Sequence, residues 1–132
     1  MAIDFTLAPE HEEIRKRVRA FIQGTVMPAM EEVTEGDRDE YLRTIFRLRS
    51  QAKAEGLWLP HMPKEWGGMG LGHVELAMVQ SEAAKTRIGP WVLNCSAPDE
   101  GNMHTLLHWA TDEQKEKYLR PSWTARKCPA SP

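Results

Sequence analysis

The stretch LWLPHMPKEWGGMGLG, residues 57–72, restricts the folds open to this chain more than any other segment. Its two prolines lack the backbone N–H that a helix interior or a central strand requires, and its four glycines weaken any regular element. Apolar residues stand between these breakers. The segment is therefore predicted to be a partly buried loop that joins two helices.

The same glycines raise the question of a phosphate-binding loop. A dinucleotide-binding fingerprint reads G-x-G-x-x-G after a strand, whereas Gly68, Gly70 and Gly72 read G-x-G-x-G and precede His73. A P-loop ends in Gly-Lys-Ser or Gly-Lys-Thr, which this segment lacks. We expect a compact turn that uses positive φ angles. A loop that opens a helix can also present free amides to an anion, and this alternative stays open.

An amphipathic helix is predicted before this loop, beginning near Pro9 and ending at Pro28. Its apolar residues follow the i, i+4, i+7, i+8 spacing of one helix face: Ile14, Val18, Phe21 and Ile22. A second helix is predicted to end at Gly56, a residue suited to a left-handed C-terminal cap. Its apolar positions are Tyr41, Leu42, Ile45, Phe46, Leu48 and Ala52.

More helices are predicted after the loop. The first begins at His73 and has a small-residue face that suits packing against another helix: Val74, Ala77, Met78, Ser81 and Ala84. A separate turn over 88–93, a loop over 94–102 and a short helix from Met103 follow. Thr111 and Gln114 have the spacing of a capping box. With no strand-like alternation, the sequence predicts an all-α bundle of five or six helices over residues 1–121.

Composition excludes several classes of function. The net charge is −2 and the basic residues are mixed with acids, so no one-signed patch for nucleic acid is expected. No apolar run approaches the roughly 20 residues that span a bilayer. The first residues lack the basic and apolar regions of a secretory signal. We predict a cytoplasmic protein in which Cys95 and Cys128 are free thiols.

Candidate chemistry is sparse along the chain. His104 and His108 have the i, i+4 spacing of zinc-protease helices, but Thr105 stands where the catalytic Glu would be and no third ligand is evident; no metal site is predicted. No catalytic residue can be assigned. The tryptophans, interpreted as residues that close the bundle by packing, are Trp58, Trp66, Trp91, Trp109 and Trp123. The loop over 94–102 is expected to be a capped turn or a site where helix amides meet a carbonyl or an anion.

Taken in order, FTLAPEHEEIRKRVRAFI, AEGLWLPHMPKEWGGMGLG, ELAMVQSEAAKT and TDEQKEKYLRP resemble the N-terminal helical domain of the acyl-CoA dehydrogenase family. The resemblance implies a larger subunit with a middle β-barrel and a C-terminal four-helix bundle, usually assembled as dimers or tetramers. It implies FAD as cofactor, an acyl-CoA substrate and an electron-transferring flavoprotein as partner. In this family, the base that removes the α-proton belongs to the C-terminal bundle. The resemblance therefore implies no catalytic residue in this sequence, and it identifies no flavin contact.

The segment NCSAPDEGNMHTL resembles the branch of this family that handles longer or hydroxylated acyl chains. The resemblance places one wall of the acyl cavity between Ile88 and Asn102. It implies five substrate-binding candidates: Asn94, Ser96, Ala97, Asp99 and Asn102. An isolated chain of this kind is expected to be inactive. A free-standing helical module that binds a partner or itself is the alternative function.

Residues 122–132 are expected to form an irregular tail. After LRP the family continues with two apolar residues, an acid and glycine, whereas this chain reads Ser122-Trp123-Thr124. If Ser122 is encoded by a TCN codon, the codons for these residues read in the neighbouring frame give two apolar residues and Asp, and they allow Gly next. We therefore expect the reading frame to shift near Pro121, which the nucleotide sequence can test.

Overall fold

The computed structural model describes residues 6–123, with side chains to residue 121. This part of the chain is helical and contains no strand, as predicted. When adjoining α-helical and π-helical segments are counted together, the described residues contain six continuous stretches of this kind. The α-helices are α1 (Pro9–Phe21), α2 (Met27–Glu31), α3 (Arg38–Ala54), α4 (His73–Ala83), α5 (Gly89–Val92), α6 (Asp99–Trp109), α7 (Asp112–Gln114) and α8 (Arg120–Trp123). One π-helical turn, Ile22–Val26, joins α1 to α2, and another, Lys115–Leu119, joins α7 to α8.

Pro28 does not end the first helix, so that prediction is wrong. Proline lacks the N–H of an α-helical bond and its ring needs room near the preceding turn. The π-helical turn before it widens the backbone, and the Met27 amide donates to the Ile22 carbonyl five residues back. Pro28 then occupies the first turn of α2, where its missing N–H costs little.

The apolar faces predicted for α1 and α3 are buried in one core. α1 packs against α4, and α3 packs against α2 and α5. The loop after α3 adds large buried side chains to this core, as expected. Its principal buried residues are Val18, Phe21, Ile22, Val26, Ile45, Leu48, Ala52, Leu57, Trp58, Leu59, Met62, Val79, Ala83, Val92, Leu93, Met103 and Leu119.

α4 does pack against a helix, but through the opposite face from the one predicted. Val79, Glu82 and Ala83 are buried, while Val74 is 60% exposed. The predicted small-residue face instead lines an open groove that Leu7 and neighbouring side chains complete. The sequence pattern misled because a charged residue, Glu82, lies on the buried side.

Two tryptophans also depart from expectation. Trp58 is buried and Trp66 packs against the core, as predicted for residues that close a bundle. Trp109 is 86% exposed and Trp91 is 48% exposed, so the packing interpretation is wrong for both. Each lies at or near the C-terminal end of a short helix, on the side facing away from the core. Trp123 has no described side chain.

The capping box and the free thiol are confirmed. The Thr111 hydroxyl accepts from the Gln114 amide, and the Gln114 side chain accepts from the Thr111 amide. Cys95 is a buried free thiol, and burial, together with the charge of Glu100, raises its pKa to about 12. Helix α8 ends at Trp123, and residues 124–132, with Cys128 and most of the expected tail, lie outside the described part.

A buried carboxylate joins α4 to α1. Glu82 is 4% exposed and accepts two hydrogen bonds from the Arg19 guanidinium, at 2.6 and 3.1 Å. Lys85 donates a third bond at 2.5 Å. The Arg19 bonds outweigh the opposing effect of burial and, with Lys85, lower the pKa of Glu82 to about 2. The carboxylate is therefore ionised across the neutral range.

Replacing Gly68 by alanine should destabilise the fold, because the new Cβ would lie 2.1 Å from the Met62 carbonyl oxygen. We expect Gly68→Ala to lower the free energy of unfolding by about 3 kcal/mol, measured by urea denaturation. Gly24→Ala is the matched control, since nothing lies within 4 Å of its Cβ and a helical alanine is favoured there. Equal stability of the two variants would contradict the close approach at Gly68.

Acid should weaken the contribution of Glu82. Because the folded pKa is lower than the unfolded one, near 4.5, this stabilisation is complete above pH 4.5 and is lost as pH falls towards 2. Glu82→Gln should cost about 1–2 kcal/mol at pH 6 and less at pH 2.5, in urea titrations. Glu35→Gln, at an exposed loop position, should cost little at either pH. A pH-independent cost of Glu82→Gln would refute this role.

Candidate functional site

The glycine-rich loop between α3 and α4 turns the chain as predicted, but with separate roles for its glycines. Gly67 and Gly70 have φ angles of 74° and 65°, which glycine adopts most readily. Gly68 is required by the close approach to the Met62 carbonyl. Gly72 has an ordinary φ of −74° and precedes the first residue of α4. The positive-φ interpretation thus holds at two of the four positions.

The amides of this loop are not available to an anion. Five consecutive backbone N–H groups, those of residues 67–71, donate to carbonyls of residues 59–64 at 2.9–3.3 Å. At the start of α4, Glu75 lies in the first turn and pairs with His11 at 2.7 Å. A carboxylate at a helix N-terminus repels a second anion. The loop therefore forms a corner, and the phosphate alternative is not supported.

Two hydrogen bonds join this corner loop, residues 57–72, to the α5–α6 segment, residues 88–102. The Leu59 amide donates to the Leu93 carbonyl at 3.0 Å. The His61 Nε2 lies 3.1 Å from the Asn94 carbonyl oxygen. Leu59 and Asn94 both have positive φ, 51° and 54°, a conformation that is unusual for leucine and more readily adopted by asparagine. Loop and segment therefore form one rigid unit.

The segment from Asn94 to Asn102 differs from the predicted loop because α6 begins at Asp99. Asp99 and Glu100 occupy the first turn, where acids interact favourably with the helix dipole. Asn102 is thus a helical residue. The helix therefore begins four residues earlier than the predicted start at Met103.

The five substrate-binding candidates lie on this segment at different depths. Ala97, Asp99 and Asn102 are exposed and Ser96 is half-buried, so four of the five are accessible at or near the surface. Asn94 is 3% exposed, and its side-chain amide faces the Met103 sulfur at 3.9 Å. Asn94 therefore lies beneath the surface that the other four present.

A half-buried arginine supports the segment from the side of α3. Arg49 donates to the Trp91 carbonyl at 3.0 Å, and its guanidinium lies 5.8 Å from the ring centre of Trp58. Burial lowers the pKa of Arg49, and the nearby charge of Asp99 opposes this shift. The arginine ties the carbonyl end of α5 to the core.

Three metal-ligating side chains also converge here, which sequence spacing did not reveal. The Nδ1 of His61 lies 3.1 Å from the Nε2 of His104, and a Glu100 carboxylate oxygen lies within 4.8 Å of both ligand atoms. His61 is 6% exposed, and this burial lowers its pKa. Since a carbonyl only accepts, the proton of neutral His61 is on Nε2, towards Asn94.

Comparison with known proteins gives the family. The family model for the acyl-CoA dehydrogenase N-terminal domain matches residues 8–125. The chain belongs to the acyl-CoA dehydrogenase family. The sequence resemblance and the predicted fold class are thereby confirmed.

Relatives of this acyl-CoA dehydrogenase domain are much longer. Acyl-CoA dehydrogenase family member 11 of Rattus norvegicus is 34% identical over 89% of this chain and 16% of its own length. The Mycobacterium tuberculosis protein named Probable acyl-CoA dehydrogenase FadE2 is 32% identical, over 90% and 30%. A solved Mycobacterium abscessus structure assigned to the acyl-CoA dehydrogenases is 30% identical, with a TM-score of 0.79 over 92% and 33%.

No helix between residues 6 and 123 is long and apolar enough to cross a bilayer. The corner loop and the α5–α6 segment are both parts of the region that matches the family's N-terminal domain.

Proposed function

We propose that this domain forms one wall of the acyl cavity of a flavin-dependent acyl-CoA dehydrogenase, which desaturates an acyl-CoA thioester between Cα and Cβ. The observation that carries the proposal is the geometry of the α5–α6 segment, which exposes small and polar side chains. Hydrogen bonds from Leu59 and His61 hold the buried side of the segment in place. A wall that selects substrates must be rigid, because a mobile wall adapts to every acyl chain.

Each candidate has a role in this proposal. Ala97 leaves room for the acyl chain, and Ser96, Asp99 and Asn102 offer hydrogen bonds to a polar substituent on it. Asn94 has an indirect role, because it is buried and its carbonyl accepts a hydrogen bond from His61 that holds the α5–α6 segment in position. Hydrogen-bonding groups of this kind discriminate strongly when a substrate leaves them unpaired. The choice between plain and hydroxylated acyl chains would therefore depend on these residues.

The family's cofactor is FAD, which accepts the hydride that leaves the β-carbon. The described residues do not form a pyrophosphate cradle, because the amides of residues 67–71 are internally bonded and the first turns of α4 and α6 carry acids. We therefore propose that FAD and the CoA phosphates contact groups outside residues 6–123. Electron transfer to an electron-transferring flavoprotein would follow at the flavin. The isolated chain is expected to be inactive.

The exposed face of α4 favours a second candidate function, an interaction module. Val74 and Ala77 are exposed, and they line the open groove with Met78, Leu7 and other side chains. Apolar surface of this kind is typical of an association site. If this function is correct, the purified chain should self-associate at micromolar concentrations, and Val74→Glu should return it to a monomer in sedimentation experiments.

The wall can be tested in a hybrid enzyme. Residues 8–125 would replace the matched region of the Mycobacterium tuberculosis relative, and flavin bleaching would be measured with a series of acyl-CoA thioesters. We expect Ala97→Trp to lower kcat/KM for long chains by about tenfold or more, with little change for short ones. The reason is that an indole would occupy the space of the distal acyl carbons.

Two controls accompany this experiment. Glu35→Gln in the same hybrid lies in the loop before α3 and should leave the chain-length profile unchanged. The isolated chain, mixed with FAD and desalted, should be colourless and should bleach nothing with any acyl-CoA. An Ala97→Trp hybrid that binds flavin but keeps the parental chain-length profile would show that this segment is not the cavity wall.

A further inference from the structure

Two separate elements bring together three side chains with possible metal-ligand atoms: His61, Glu100 and His104. His61 belongs to the corner loop, whereas Glu100 and His104 are four residues apart and share one face of α6. The His61 Nδ1 to His104 Nε2 distance is 3.1 Å. Two nitrogens bound tetrahedrally to one Zn²⁺, each at about 2.0–2.1 Å, would lie about 3.3 Å apart. The observed spacing needs only a small adjustment.

The surroundings orient two of these side chains as a metal site requires. The Asn94 carbonyl holds the His61 proton on Nε2, so the Nδ1 lone pair points into the cluster. The Gln80 side-chain amide donates to the Glu100 carboxylate at 3.2 Å and also approaches the Cys95 carbonyl at 3.4 Å. Metal-bound histidines characteristically donate their other N–H to a carbonyl, and metal-bound carboxylates are themselves hydrogen-bonded.

We propose that His61 Nδ1, His104 Nε2 and the Glu100 carboxylate bind one divalent transition-metal ion of the Zn²⁺ class. Two imidazoles and a carboxylate suit such ions better than Mg²⁺ or Ca²⁺, which prefer all-oxygen ligands. Three protein ligands leave a coordination position for water. His104 and Glu100 are only half-buried, so the ion can enter from solvent.

The consequence of binding is structural in the first instance. The metal would connect the corner loop directly to α6, in addition to the two hydrogen bonds that already join loop and segment. The hydrogen bond between the His61 and His104 imidazoles already joins the corner loop to α6. The site adjoins the proposed acyl wall but does not depend on acyl-CoA or flavin binding.

His108 supplies the competing explanation and also the control. Its ring stacks on His104 at 6.2 Å between centroids, one turn further along α6, and it is exposed. Two histidines at i and i+4 on a helix can bind a metal without His61 or Glu100. The variants must therefore separate the three-residue cluster from this surface pair.

The experiment is a titration of the tag-free, chelator-treated full chain with Co²⁺, followed by visible absorption and displaced by Zn²⁺. We expect one Co²⁺ per chain, with the intense bands of a low-coordinate site. His104→Ala should weaken binding at least 100-fold, Glu100→Gln and Gln80→Ala about tenfold or more, and His108→Ala less than twofold. Zn²⁺ should raise Tm in the wild type and in His108→Ala, but not in His104→Ala.

Circular dichroism identifies any variant that fails to fold, and the half-buried Glu100 provides a second test if His104→Ala is unfolded. Absence of 1:1 binding to the wild-type chain would overturn the proposal. It would also be overturned if His108→Ala weakened binding as much as His104→Ala while Glu100→Gln had no effect. Because no acyl-CoA or flavin is present, either result leaves the cavity-wall proposal unaffected.

Discussion

Two hydrogen bonds between the corner loop and the α5–α6 segment hold the candidate functional site of this domain in place. The Leu59 amide donates to Leu93, and His61 donates to Asn94. Both bonds lie within the core, where a buried donor or acceptor left without a hydrogen-bond partner would cost about 1–3 kcal/mol of stability. They also fix two residues at positive φ, so the loop and the segment cannot rearrange independently. The candidate wall and the metal-ligating cluster both depend on this pairing.

The family assignment and the local chemistry support each other at this point. The proposed place of the domain beside an acyl cavity agrees with its family membership, and the hydrogen-bonded α5–α6 segment has the geometry that such a wall requires. The same geometry explains why the glycines are not a nucleotide site: their neighbouring amides are used to close the corner. Under the proposed function, phosphate recognition is assigned to groups outside the described residues, and shape recognition of the acyl chain is assigned to the α5–α6 segment.

Much of the fold followed from local sequence signals. The spacing of Ile14, Val18 and Phe21, the glycine stop after α3 and the Thr111 capping box each depend on a few neighbouring residues, and each was confirmed. Other features depend on distant residues. The buried face of α4 is set by Arg19 pairing with Glu82, and His61 meets His104 only because the corner folds back over 43 residues. Sequence periodicity contains no information on either contact.

Amide hydrogen exchange tests the central claim that the corner is a closed, internally bonded unit joined to the α5–α6 segment. The amides of Leu59, Met69 and Gly70 should exchange nearly as slowly as that of Leu48 in the core of α3, and much more slowly than the exposed amides of Glu35 and Gly36. Their exchange should not change when FAD is added. Rapid exchange at Leu59 and Met69, or protection that appears only with FAD, would contradict this account.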